Sequence, residues 1–202
     1  MLDFNNMFQS QADADARIKV PGSKAEGASE PSDLAAHRSD GFRLGVVSDT
    51  HNHLANIRRI VELFNIAAVD AVVHTGDITQ AKALTVFAGL EAPLYGVFGN
   101  NDQERAALEA AAATHGFEFC EPPHRLVWHD RQIVVVHDPL EFDGVLDDHH
   151  HLALHGHTHR QRIEQREYHL IFNPGECAGH MQGLNTIGVV DLATLTPELI
   201  TF

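Results

Sequence analysis

Phe42–Asp77 reads FRLGVVSDTHNHLANIRRIVELFNIAAVDAVVHTGD. It opens with Arg43–Ser48, a short apolar run of the kind that forms a strand buried on both faces. The polar cluster Ser48-Asp49-Thr50-His51 follows it. Leu54, Ile57, Ile60, Val61 and Phe64 then recur at helical spacing across Leu54–Asn65, and Val69–Thr75 returns to a strand pattern. Strand, helix and strand in immediate succession predict a parallel sheet covered by helices.

The alternation continues outward. Lys82–Gly89 suggests a helix, Leu94–Phe98 a third strand, and the Ala- and Glu-rich Glu104–Ala113 another helix. The second half is strand-dominated, with Arg125–Trp128, Gln132–His137, Leu152–His155, Gln161–Arg166, His169–Asn173 and Thr186–Asp191 all reading as strands. Asp130-Arg131 looks like a tight hairpin turn. An α/β fold accommodates both halves: a two-sheet β-sandwich flanked by helices, four layers in the order α/β/β/α.

Residues 1–40 differ. The segment PGSKAEGASEPSD lacks an apolar period and is rich in Gly, Ser, Pro, Glu and Ala. It is expected to be a flexible extension that the chemistry does not need, although Leu2–Phe8 could dock on the domain formed by residues 41–202.

The 202 residues, 44% of them hydrophobic, suit one domain with a substantial core. Lys and Arg total 14 against 28 Asp and Glu, a formal net charge of -14. That balance argues against broad nucleic-acid binding, which needs a basic face. It leaves room for a small phosphate substrate, because bound metal ions reverse the local field. Cys120 and Cys177 alone make no disulfide framework, and no apolar leader or membrane-spanning run is visible. A cytoplasmic location is expected, and homo-oligomer formation is compatible with the sequence. The 16 histidines fit metal chemistry.

Each early strand ends in a polar cluster: Ser48–His51, then His74-Thr75-Gly76-Asp77, then Gly99-Asn100-Asn101-Asp102. In a parallel sheet these carboxyl ends open on one side, where ligands bind. Two later strands add His137 and Gly156-His157-Thr158-His159. Asp49 and His51 sit two apart on an extended segment leaving a strand, so both side chains point the same way and can chelate one ion, and His157 and His159 share that spacing and that expectation. Gly76 allows a tight turn beside Asp77, whose two oxygens could bridge two metals. Asn100 offers a neutral oxygen. Mixed imidazole, carboxylate and amide ligands suit Mn, Fe, Zn, Co or Ni better than Ca. Two such ions can clamp the attacking and leaving oxygens of a phosphoryl displacement. Each cluster alone has a plainer explanation. Gly-Asp can be only a turn, Asn100-Asn101-Asp102 only a helix cap, and His137 only a core histidine.

The order Asp49-Thr-His51, Gly76-Asp77, Gly99-Asn-Asn-Asp102, His137 and Gly156-His-Thr-His159 resembles the signature of the calcineurin-like metallophosphoesterase family. With Asn173-Pro174-Gly175 after the last ligand pair, it is similar to the small single-domain prokaryotic phosphodiesterases. The resemblance implies a metallophosphoesterase fold and two divalent ions, most plausibly Mn2+. One would be held by Asp49, His51, Asp77 and His159, and the other by Asp77, Asn100, His137 and His157. It further implies that a metal-bridging hydroxide attacks the phosphate of a small phosphate ester.

Three positions depart from the family pattern. Asn101 stands where many relatives carry a His that assists the leaving group, and an amide cannot act as a general acid. Asp138 stands where many have Gly, and could bind metal, orient a ligand or repel substrate. Glu176 replaces a frequent Ser and reads as a surface turn residue. Asp102 either orients groups near Asn100 or caps the next helix. His74 reads as packed, His53 as a surface or substrate-flanking residue, Cys177 as a small packed residue, and His149–His151 as a solvated loop. Two other functions compete with phosphodiester or phosphomonoester hydrolysis. A nuclease is disfavoured by the acidic charge, and a non-catalytic interaction module by the complete ligand set.

Overall fold

The computed structural model describes residues 41–180 and 183–202. The extension expected over residues 1–40 lies outside them. The strands and helices run in the order β1 (Arg43–Val47), α1 (Leu54–Ile66), β2 (Ala71–His74), α2 (Ala81–Phe87), β3 (Leu94–Val97), α3 (Arg105–His115), β4 (Glu118–Cys120), β5 (His124–Trp128) and β6 (Arg131–Val135). A 3-10 turn at Pro139–Phe142 precedes β7 (Leu152–Leu154), β8 (Arg162–Gln165), β9 (Leu170–Asn173), β10 (Thr186–Asp191) and β11 (Thr196–Thr201).

These elements build two mixed sheets flanked by three helices. The first sheet has the order β11-β10-β1-β2-β3-β4 and the second β5-β6-β7-β9-β8. In the first, β1 to β4 are mutually parallel, β10 runs against them, and β11, antiparallel to β10, runs with them again. Alternate residues of β1 explain its continuous apolar run. Leu44 and Val46 point into the layer between the sheets, with Val135, Leu154 and Phe172 opposite. Val47 points the other way, into the layer under the helices with Ile57, Ile60 and Phe64. A strand buried on both faces needs apolar residues at every position. The outer face of the second sheet carries a thinner cover, in which Phe142 of the 3-10 turn packs on Val134, Ala153 and Ile171.

The hairpin between β5 and β6 turns at His129-Asp130, one residue earlier than expected. Trp128 pairs with Arg131, and both loop residues have positive φ, 48° and 58°. That is the backbone a two-residue hairpin demands. Strands β4 and β11 were not expected. Both are sheet edges, where mostly exposed or half-exposed residues, polar ones among them, dilute the apolar signal. Among the described residues, no helix is long and apolar enough to cross a membrane.

Candidate metal centre

β1, β2 and β3 run side by side, so the loops that leave their carboxyl ends meet on one edge. The backbone there is not extended. Asp49, His51 and Asn52 have φ of 50°, 40° and 59°. Their N–H groups donate to the carbonyls of Gly76, Asp77 and Ile78 at 3.1, 3.0 and 3.1 Å. The loop after β1 is thus a left-handed curl bonded to the loop after β2. Asp77, His157 and His159 also have positive φ, at a cost of roughly 1–3 kcal/mol for each such non-glycine residue. The spacing argument therefore fails in its detail. Asp49 and His51 converge through a curl, while His157 and His159 diverge into the two halves of the site.

All seven residues proposed as ligands come together. In the first half, His51 Nε2 lies 3.9 Å from Asp49 Oδ1, 3.5 Å from Asp77 Oδ2 and 3.3 Å from His159 Nε2. His159 Nε2 lies 3.5 Å from Asp49 Oδ1. In the second half, His137 Nε2 is 3.4 Å from Asp77 Oδ1 and 3.0 Å from Asn100 Oδ1, and His157 Nδ1 is 3.0 Å from the same amide oxygen. One oxygen of Asp77 thus faces each half. Glycine makes this approach feasible. A β-carbon on Gly99 would collide with Asp77 Oδ1, and one on Gly76, where φ is 105°, would meet the His137 ring.

The donor set fits divalent cations. Asp49 is fully buried, and its Oδ1 has no hydrogen-bond partner although it faces the imidazoles of His51 and His159. A buried carboxylate oxygen left in that state is costly unless a cation compensates it. Burial pushes the Asp49 carboxyl above its ordinary value, against the hydrogen bond from Ser48 and the charges of His137 and His159. Burial also disfavours the charge on Asp77, but hydrogen bonds from His137 and Asn101 outweigh it and hold that carboxyl well below the usual range. The same pairing wins over burial at His137 and pushes its imidazole up to about 9.

Supporting contacts set the orientation of these groups. His137 Nδ1–H donates to the Thr75 carbonyl at 2.8 Å, which directs Nε2 toward Asp77. His74 accepts from the Gly76 N–H at 3.1 Å and lies 3.1 Å from the Thr50 hydroxyl. Burial holds its imidazole down at about 3, so it is a packed neutral ring. Asp102 accepts from the N–H groups of Asp77, Gly99 and Thr79 at 3.0, 2.7 and 2.6 Å. It joins two loops, and Glu104 rather than Asp102 holds the cap position of α3. Asn101 donates to both oxygens of Asp77, from its backbone at 2.9 Å and its amide at 2.7 Å.

The remaining candidates fall as follows. Asp138 caps the 3-10 turn through the Leu140 N–H, and its other oxygen lies 3.7 Å from His157 Nε2, on the side of that ring away from Asn100. His53 caps α1 by accepting from the Asn56 N–H. Cys177 is buried, and burial pushes its thiol far above the usual range. His149 is exposed, while His150 is buried against Asp147 and His151 accepts from the Gln132 N–H. Glu176 requires correction. It is 2% exposed, not a surface residue, and its Oε2 accepts from His159 Nδ1 at 2.7 Å and His180 Nδ1 at 3.1 Å. His180 went unnoticed in the sequence, as did the work of Asn173, whose amide donates to the Gly156 carbonyl at 3.0 Å and so shapes the loop carrying His157. Beside the second half opens a cleft of about 280 Å³, lined in part by Asn100, His137, His157 and Arg105. The Arg105 guanidinium lies 4.0 Å over the Phe98 ring and pairs with Glu121 at 2.8 Å.

Comparison with known proteins finds phosphoesterases with this fold. A phosphodiesterase of Methanocaldococcus jannaschii is 33% identical over 163 residues, which cover 74% of this chain and 93% of that protein. The solved structure of an archaeal phosphodiesterase shares 30% identity with a TM-score of 0.72, covering 80% of this chain and all of that one. A phosphoesterase from E. coli shares the fold at a TM-score of 0.60 and 20% identity, over 79% and 98% of the two chains. Residues 42–195 match the model of the calcineurin-like phosphoesterase superfamily domain, a span that contains every residue of the cluster. The chain belongs to the calcineurin-like phosphoesterase superfamily.

Proposed function

We propose that this protein hydrolyses small phosphate esters, phosphodiesters foremost, at two divalent metal ions. Asp49, His51, Asp77 and His159 would hold one ion, and Asp77, Asn100, His137 and His157 the other. The observation that carries the reading is the placement of the Asp77 carboxylate, with Oδ2 3.5 Å from His51 and Oδ1 3.4 Å from His137. Membership of the family implies divalent ions, and the mixed N and O donors suit Mn2+ foremost, with Fe, Zn, Co or Ni also acceptable. When bound, such ions supply an attacking water of lowered pKa and offset the charge of the phosphoryl oxygens.

The protein's own part is to position and to limit access. Ser48 and the His157 N–H hold one oxygen of Asp49, so its partner oxygen stays directed at the histidines. The cleft beside Asn100 is small and suits a compact ester. An acidic chain carrying -14 opposes the nuclease reading. The reading further takes residues 41–202 as the catalytic unit and the cytoplasm as its location.

Elemental analysis after reconstitution with Mn2+ should find two ions per chain, and the loaded protein should turn over an aryl phosphodiester. Trace metal only, or a loaded protein without turnover on aryl mono- and diesters, would sink the reading.

Asn101 leads to a second expectation. Its amide bonds Asp77 Oδ2 and offers no transferable proton to a departing oxygen. Aryl esters should therefore be much better substrates than alkyl esters. A well-placed acid contributes on the order of 10²–10⁴-fold, and Asn101→His should recover a smaller part of that, more for leaving groups of higher pKa. Rates over a series of phenyl and alkyl esters, at matched metal occupancy, measure it. A steep wild-type dependence left unchanged by Asn101→His would show that position 101 does not face the leaving group.

A further inference from the structure

Two imidazoles of the cluster are oriented by different acceptors. At His137 the Nδ1–H donates to a backbone carbonyl, that of Thr75, at 2.8 Å. At His159 the acceptor is a carboxylate, Glu176 Oε2, at 2.7 Å. Glu176 follows Gly175, whose φ of 100° turns the chain back after β9 and carries the side chain inside. The same oxygen lies 3.1 Å from His180 Nδ1, and the His180 ring stands 5.5 Å from that of His159 and 5.7 Å from that of His51. An ionised carboxylate only accepts, so the proton of this contact belongs to His159 Nδ1. The lone pair of a neutral ring is then on Nε2, which lies 3.5 Å from Asp49 Oδ1 and 3.3 Å from His51 Nε2.

We propose that Glu176 is a positioning residue for the half of the site built from Asp49, His51 and His159, and that its carboxylate strengthens metal binding in this half, the tighter of the two. The inference rests on the two-ion reading above. A carboxylate behind an imidazole fixes its tautomer and raises its basicity as a ligand, and it does so more strongly than a neutral carbonyl. Loss of such a partner weakens metal affinity by about 10–100-fold. In the other half His137 has only a carbonyl behind it, Asp138 Oδ2 stands 3.7 Å from His157 Nε2, beyond hydrogen-bond distance, and the neutral Asn100 takes the place of a carboxylate, so the two halves should differ in affinity in a direction that Glu176 reinforces. His180 meets the same Oε2 with a second ring and needs no metal contact to do so.

The test compares the full-length chain with Glu176→Gln and Glu176→Ala. Zn2+ is titrated into each metal-free protein against a competing chelator, and ring-nitrogen NMR of the metal-free proteins reports the His159 tautomer. In the wild type, the Nδ1–H form of His159 and two unequal affinities are expected. Glu176→Ala should weaken the tighter ion by about 10–100-fold and leave the weaker within a few fold. Glu176→Gln keeps an acceptor without its charge, so it should keep the tautomer and fall between. Urea midpoints verify that each variant is folded. An Nε2–H tautomer in the wild type would overturn the proposal. So would a folded Glu176→Gln and Glu176→Ala pair with both wild-type affinities, or an equal loss at both ions. If the wild type itself binds no Zn2+, the two-ion reading fails first, which separates the two results.

Discussion

Asp77→Asn should lower kcat/KM by at least about 10²–10³-fold, the scale seen when one preorganised charge-stabilising group is removed. It should also lower the occupancy of both ions together. The reason is the division of labour between its oxygens, one beside His51 and the other beside His137. An amide keeps the shape but supplies one oxygen and no charge. It would also put an N–H₂ group against either the first or the second set of imidazoles. Substitution of a residue belonging to one half gives the contrast. His157→Ala removes an imidazole that meets Asn100 through Nδ1 at 3.0 Å and packs edge-on against the His137 ring, both in the second half, and should cost one ion while sparing the other. Metal content and turnover, measured on the same preparations, decide the matter. An Asp77→Asn protein with two ions and full turnover would contradict the bridging role, and one that lost a single ion would assign Asp77 to one half.

The extent to which this site was legible in the sequence follows from the physics of each part. Strands β1, β2 and β3 were readable because burial on both faces demands an apolar residue at nearly every position. The Asp, Asn and His clusters were readable because parallel strands deliver their carboxyl ends to one edge. The reason first given for the Asp49 and His51 pair was wrong even so. Left-handed backbone, held by hydrogen bonds to the neighbouring loop, brings them together, and no residue spacing encodes that. Edge strands β4 and β11 carry too little apolar surface to announce themselves. Glu176 was misread for a related cause. A glutamate after Asn-Pro-Gly looks like a turn residue, and its burial becomes tolerable through His159, brought in from the loop after β7, and His180, turned back onto it four residues later. Asn101 was read only as lacking acid function, and its two hydrogen bonds to Asp77 depend on the loop after β3 lying against the loop after β2.

Asp102→Ala should destabilise the metal-free protein by about 3–5 kcal/mol, since an unsatisfied buried donor costs roughly 1–3 kcal/mol and three are created, with water offsetting part of the sum. The carboxylate is 2% exposed and accepts from the Asp77, Gly99 and Thr79 N–H groups. Two sequence-level roles were open for it, orienting groups near Asn100 or capping α3. Its hydrogen bonds tie the backbone that presents Asp77 to the backbone that presents Asn100, and Glu104 holds the cap position of α3. Burial raises its carboxyl, and the N–H groups of Gly99 and Thr79 oppose that shift, so the residue bears a desolvation cost that its hydrogen bonds offset. Asp102→Asn should cost less, about 1–3 kcal/mol, because its remaining oxygen can still serve the Asp77 and Gly99 donors while its N–H₂ group faces that of Thr79. Urea unfolding must be followed without metal, since ions bound only by the folded state would mask the difference. The loaded variants should then show weakened binding at both halves, because both loops lose their common anchor. A loss below about 1 kcal/mol for Asp102→Ala would mean that the three donors find other partners at little cost. Full stability loss with unchanged metal affinity would mean that the loops hold Asp77 and Asn100 in place without it.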